Sequence, residues 1–271
     1  MNLLQYSFFQ NALVGSLLAS ILCGFVGTYV VTRRLVFISG GITHASFGGV
    51  GLGVWLGLPP TATAAVFSVL TAFGIRWLSG SRNMREDSAI AIFWTLGMSV
   101  GIICSFLTPG FVSELSSYLF GNILTIMPAD LWFLCALSLV AACVYLFFLR
   151  TVVSVAFDPV FARSIHLPVA WVEYGMMAFV ALTVVACLRM VGIVLMISLL
   201  TIPQVTANLF TNDFRKMALL AVAFGYAACL GGLAFSCAYN VPSGATIIFV
   251  SAIIYIICKA GRKWFLRTKT Q

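Results

Sequence analysis

Residues 37–60 read FISGGITHASFGGVGLGVWLGLPP, a stretch with seven glycines, one of the chain's two histidines and no Asp, Glu, Lys or Arg. From 42 to 58 it is long enough to cross a bilayer as a helix, which takes about 17 to 25 residues. The whole composition agrees with that solvent. Of 271 residues, 62% are hydrophobic and 8% charged, where a soluble domain carries roughly a quarter charged residues.

Eight further apolar runs of spanning length lie at 11–31, 61–78, 88–108, 130–149, 168–188, 191–210, 217–237 and 243–258. None alternates apolar with polar residues, so helices are expected rather than a barrel; in lipid only those two forms satisfy their own backbone. The expectation is an all-α, polytopic membrane bundle of eight to ten transmembrane helices, forming one transmembrane domain over 1–271. The first run has no basic leader and is followed by Arg33 and Arg34 rather than a cleavage site, so it is expected to stay as an anchor. Residues 109–128, PGFVSELSSYLFGNILTIMP, are short and bounded by proline, which suggests an outer loop with a re-entrant or surface helix.

Charge orients the bundle. Arg33/Arg34, Arg76/Arg82/Arg85, Arg150/Arg163, Arg215/Lys216 and a basic tail at 259–271 hold fourteen of the fifteen basic residues, and Arg189 is the exception. The net charge of +8 therefore reads as a cytoplasmic-side signal with attraction to anionic lipid, and nucleic acid is not an expected partner. All eight cysteines sit inside apolar runs without a CxxC, as small buried hydrophobes do. Of seven acids, only Glu173, near a helix start, approaches the membrane interior. That scarcity weakens any ion-coupled carrier, which keeps ionisable groups at depth.

Two runs look built around something polar. In GIVLMISLLTIPQVTANLF, residues 192–210, Ser198, Thr201, Gln204 and Asn208 recur at spacings of three, three and four and share one side. Pro203 frees the carbonyl of Leu199 and favours a kink. Such a helix suits either the wall of a water-filled path or interhelical hydrogen bonding. In the opening stretch Gly41, Ala45, Gly49, Gly53 and Gly57 fall at every fourth residue, a small-residue face for close helix packing. His44, Gly48, Gly51 and Trp55 lie on the adjacent side. His44, about one turn into the helix, is a candidate metal ligand or a hydrogen-bonded structural histidine.

The inner loop at 156–171, AFDPVFARSIHLPVAW, carries Asp158 as N-cap with Pro159 at the first helical position, and Pro168 as a stop. A short amphipathic helix over about 157–166 is expected, with Phe157, Phe161 and Ile165 on one side, suited to docking in a partner's groove.

RRLVFISGGITHASFGGVGLG, REDSAIAI, SSYLFGNIL, FDPVFARSI, RMVGIVLMISLLTIP and PSGATIIF occur in that order. Through them the chain, from about Leu13 to Ile257, resembles permease subunits of the metal-importing ATP-binding-cassette family, which take up zinc, manganese or iron(II) in bacteria. The resemblance implies a type II importer fold in the cytoplasmic membrane and a homodimer enclosing a central path. It also implies an extracytoplasmic metal-binding protein and two ATPase subunits gripping a coupling helix that includes Asp158, Pro159, Phe161, Arg163 and Ile165. Nothing in this chain matches GxxxxGK[ST], so ATP is bound and hydrolysed on the partner, and no cofactor is expected here. Two positions depart from the family. Gly40 stands where many members carry an aspartate one turn before the histidine, and His166 stands where a glycine usually ends the coupling helix. His166 puts the usual left-handed ending in question, because a β-carbon penalises positive φ.

Three alternatives remain on sequence grounds. A permease for iron-siderophore or cobalamin-type chelates would share the late helices but usually has about ten spans. An intramembrane enzyme would need a metal cage or an activated nucleophile. A passive channel would need no coupling helix.

Overall fold

The structure, a computed structural model, describes residues 6–80, 84–108, 121, 123 and 126–268. All its regular elements are helical: α1 (Ser7–Thr32), α2 (Val36–Leu56), α3 (Pro60–Ser79), α4 (Glu86–Leu107), α5 (Pro128–Phe147), α6 (Leu149–Phe157), α7 (Pro159–Ser164), α8 (Val169–Leu199), α9 (Ile202–Asn208), α10 (Phe214–Tyr239) and α11 (Ser243–Thr268). Among the described residues, eight stretches are long and apolar enough to cross a membrane, with Val169–Leu188 and Met190–Asn208 counted separately. Helix α2, expected from its sequence to cross as well, is not among these eight. It spans 21 residues, about 30 Å at 1.5 Å per residue, and only its glycines, hydroxyls and His44 dilute its apolarity.

Side-chain contacts fix the common face. Arg33 at the end of α1 and Arg76 at the end of α3 both pair with Glu173 in the first turns of α8. The Tyr145 hydroxyl at the end of α5 donates to the carbonyl of Arg215 at the start of α10. These ends carry the basic clusters, so this is the cytoplasmic face. At the other face a β-carbon on Gly15 would press on Ile126 and Met190, which brings α1, α5 and the middle of α8 together there.

Helices α1 and α2 and the stretches Val169–Leu188 and Met190–Asn208 are the most buried, while α3, α4, α5 and α11 lie outside. Several interior hydroxyls turn back on their own helix: Ser16, Ser20, Thr28, Thr43 and Thr206 donate to carbonyls four residues earlier, which satisfies their polar hydrogens inside the bundle.

Several boundaries differ from the sequence expectation. Helix α2 starts at Val36, after Arg34 in left-handed backbone, so His44 sits two turns into it rather than one. Residues 149–157, read as the end of a span and a loop, form the separate helix α6. The last run continues as α11 to Thr268, through most of the expected tail. The outer segment 109–128 lies almost entirely outside the described residues, as does Arg82.

Helix α8 is interrupted at Gly192, whose φ of 73° and ψ of 170° no helix tolerates. A β-carbon there would enter forbidden backbone space, and glycine is the residue free to adopt it. By contrast Gly175, exposed on α8, has nothing within 4 Å of a β-carbon. Gly175→Ala is expected to stabilise the protein by about 0.5–1 kcal/mol through helix propensity, read as a rise in melting temperature in detergent.

Candidate transport path and docking helix

Helix α2 is held in a bed of small residues. A β-carbon on Gly41 would sit 2.6 Å from Ile90 on α4, and one on Gly49 would sit 2.6 Å from the Cα of Ala64 on α3. Gly53 faces Thr63 and Pro60 at the head of α3. The adjacent side meets α4 backbone to backbone: Gly48 lies against Gly97, Gly51 against Gly101, and Gly97 against Ala45. Gly57 departs from this set. It is the left-handed C-cap of α2, with open space around it, so its role is to end the helix.

His44 projects from this bed half-buried, its ring stacked on Trp94 of α4 with centroids 4.2 Å apart and planes 12° from parallel. Its Nδ1 is buried and has no hydrogen-bond partner among the described residues. Buried polar atoms are usually paired, so the orphaned nitrogen sets His44 apart from the other polar groups of the bed. Gly40, one turn earlier, would carry a β-carbon 3.6 Å from Ile197 on the second leg of α8, an ordinary contact distance. Among the described residues no three His, Cys, Asp or Glu side chains converge as a metal cage.

The polar residues after Gly192 do not form one continuous wall. The helix breaks at Leu200–Thr201, and Pro203 occupies the first turn of α9 instead of kinking a continuous helix. The freed Leu199 carbonyl accepts from the Gln204 side-chain Nε2 at 3.0 Å, and the same nitrogen donates to Cys23 on α1 at 2.7 Å. Gln204 is fully buried and serves here as a clasp between α9 and α1. Thr201 bonds back to Ile197, Ser198 keeps an unpartnered hydroxyl, and Asn208 is exposed at the far end. Only Ser198 and Thr201 therefore lie along the leg that passes the Gly40 side of α2.

At the cytoplasmic face Asp158 caps α7, its Oδ1 accepting from Val160 N at 3.0 Å and Phe161 N at 2.9 Å, with Pro159 in the first turn. Ala162 is buried beneath the helix with Val155 and Val169. Val160 and Phe161 are exposed on it, with Arg163 beside them and Ile165 exposed just beyond, whereas Phe157, expected on this helix, is the exposed last residue of α6, because the Asp158 cap separates the two. Ile165 belongs to the turn that ends the helix. His166 takes the left-handed conformation, φ 60°, so the ending usual with glycine is kept despite the β-carbon. Histidine is among the residues that tolerate this region best.

Sequence reading left Glu173 without a partner. Its carboxylate is buried, with Oε1 2.5 Å from Arg33 and Oε2 2.5 Å from Arg76. Arg33 also reaches the Val155 carbonyl on α6 at 3.4 Å.

A multi-pass bundle with an unpaired imidazole in a glycine bed and a capped apolar helix on its cytoplasmic face has the parts of a transport subunit. The chain belongs to the ABC 3 transport family, whose model matches residues 5–261. It is similar to the manganese transport system membrane protein MntC of Halalkalibacterium halodurans, 34% identical over 94% of this chain and 87% of that one. It is also similar to a probable iron transport system membrane protein of Haemophilus influenzae, 29% identical over 97% of each chain. Among solved structures it resembles PsaBC from Streptococcus pneumoniae in complex with Fab, with a TM-score of 0.86 and 29% identity over 94% of this chain and 92% of that one. The protein is thus a metal-importing ABC permease, multi-pass in the inner membrane, and hydrolysis of ATP belongs to a separate subunit.

Proposed function

We propose that this permease imports manganese, with iron(II) as its nearest competitor, through a path between two copies of the chain. The observation that carries the reading is His44: the histidine within the membrane layer, with a buried, unpartnered Nδ1. A single imidazole binds transition metals weakly, and manganese lies at the weak end of the divalent series, below iron(II) and well below zinc. An ion held this lightly can leave again, so capture is assigned to an extracytoplasmic binding protein. The names of the manganese and iron relatives favour a free metal ion over the chelate alternative.

In this reading two ATPase subunits seat on α7 through Val160 and Phe161, together with Phe157 at the end of α6, with Arg163 supplying charge. Their closure on ATP moves α7 and alternates access to the path. His44 contacts the ion only in passing, and its stack on Trp94 holds the ring in one orientation.

Vesicles containing the permease, its ATPase and its binding protein test the metal. Manganese uptake should exceed iron(II) uptake, with zinc poorly moved. His44→Ala should lower manganese uptake at least about tenfold, the scale of losses at metal-contacting shells, with the complex still assembled. Preferred zinc uptake, or undiminished transport by the variant, would overturn the assignment.

A further inference from the structure

We infer that Glu173 is a positioning residue for transport: the joint that carries movement of α7 to the helices lining the path. The inference rests on the proposal that the ATPase docks at α7. Helix α7 enters α8 through Leu167 and Pro168, and Glu173 lies in the second turn beyond. From there one carboxylate holds two helices at once. Oε2 binds Arg76 in the last turn of α3, and Oε1 binds Arg33 at the corner between α1 and α2. The same Arg33 touches Val155 on α6, the helix that leads into α7. Both roots of α7 are thereby tied to the start of α2, which carries His44, and to α3, whose head packs on Gly49 and Gly53.

Packing around the joint is loose on two sides. A partly open polar pocket of about 570 Å³ lies between Arg76, Glu173 and Arg163 of α7, and another of about 230 Å³ between Arg33, Arg34, Arg76, Ser79, Glu86 and Glu173. Close-packed interiors resist sliding, whereas a carboxylate flanked by two partly open polar pockets is not locked by packing on those sides and can follow α8 while keeping its guanidiniums. Net stability is a weak reason for such a cluster, because desolvating three charges offsets most of their attraction. What the arrangement supplies is a fixed three-way link between helices 97 and 140 residues apart in sequence.

Glu173→Gln would leave two guanidiniums unpaired and puts the fold itself at risk, so Arg76→Gln is the informative variant. Arg76 is the more exposed partner, with 38% of its side chain accessible against 20% for Arg33, and the Arg33–Glu173 pair survives its removal. In vesicles with ATPase and binding protein, the quantity to measure is manganese moved per ATP hydrolysed. For Arg76→Gln this ratio should fall about fivefold or more, the lower range of coupling between sites, with the ATPase still bound and still hydrolysing. Arg76→Lys, which keeps the charge, should restore it. An unchanged ratio overturns the inference, and so does a proportional loss of hydrolysis and transport accompanied by a lower melting temperature, which would make the cluster a fold clamp. A wild-type complex whose hydrolysis moves no metal would sink the import reading first, and the joint with it.

Discussion

Gly97→Val is expected to be among the most damaging single substitutions in the bundle. A β-carbon at this position would lie 2.5 Å from the Cα of Ala45 and 2.8 Å from its Cβ and carbonyl oxygen. The obstacle is backbone, so no rotamer change relieves it. Valine adds two more methyl groups, and α2 and α4 must then separate along a seam that also includes Gly48, Gly51 and Gly101. Overpacking usually costs about 1–3 kcal/mol; here the upper end applies, which for a chain of this size corresponds to a melting temperature lowered by about 10 °C. Thermal unfolding of purified protein in detergent measures it. The contrast with Gly175→Ala is informative, because that change adds a β-carbon where space is open. If both variants melt alike, the close α2–α4 contact is not what holds the helices.

The second large effect is expected at α7. Phe161→Ala combined with Arg163→Glu should detach the ATPase while leaving the permease folded. Both side chains are exposed, so their loss costs the bundle little. Aromatic and arginine side chains carry most of the energy at interfaces, often 2 kcal/mol or more each, or about 30-fold in affinity per residue. Co-purification of the ATPase should fall by that factor or more, with an unchanged melting temperature. Undiminished co-purification would place the docking surface elsewhere.

The crossings were legible because bilayer thickness demands long apolar runs. The outer ends of several helices and the clustering of arginine on one face followed from that single demand. The start of α2 was less visible: Ser39, Gly40 and Gly41 interrupt the apolar signal, and the left-handed Arg34 before it has no local marker. The Gly192 break was hidden for the opposite reason, since one glycine in an apolar run looks like any other. Asp158–Pro159 announced α7 correctly because cap chemistry is local. Pro203 and the freed Leu199 carbonyl were also readable, but the identity of the donor that satisfies it, Gln204, depended on α1 lying alongside.

Glu173 shows where such reading ends. Its partners are remote in sequence, and nothing in the residues around it distinguishes a carboxylate at a helix start from one clasped by two arginines. His44 was visible as a residue type, yet its stack on Trp94 and its unpaired Nδ1 belong to the packed bundle.

On the proposed function, this chain moves a metal ion under the drive of an ATPase seated on its cytoplasmic face. The most direct measurement is manganese accumulation in vesicles holding the full complex, with and without ATP at the ATPase. Accumulation against a gradient is expected only with ATP, and the Phe161 and Arg163 substitutions should abolish it. Equal, downhill flux in the presence and absence of ATP would contradict it and mark the protein as a passive pore.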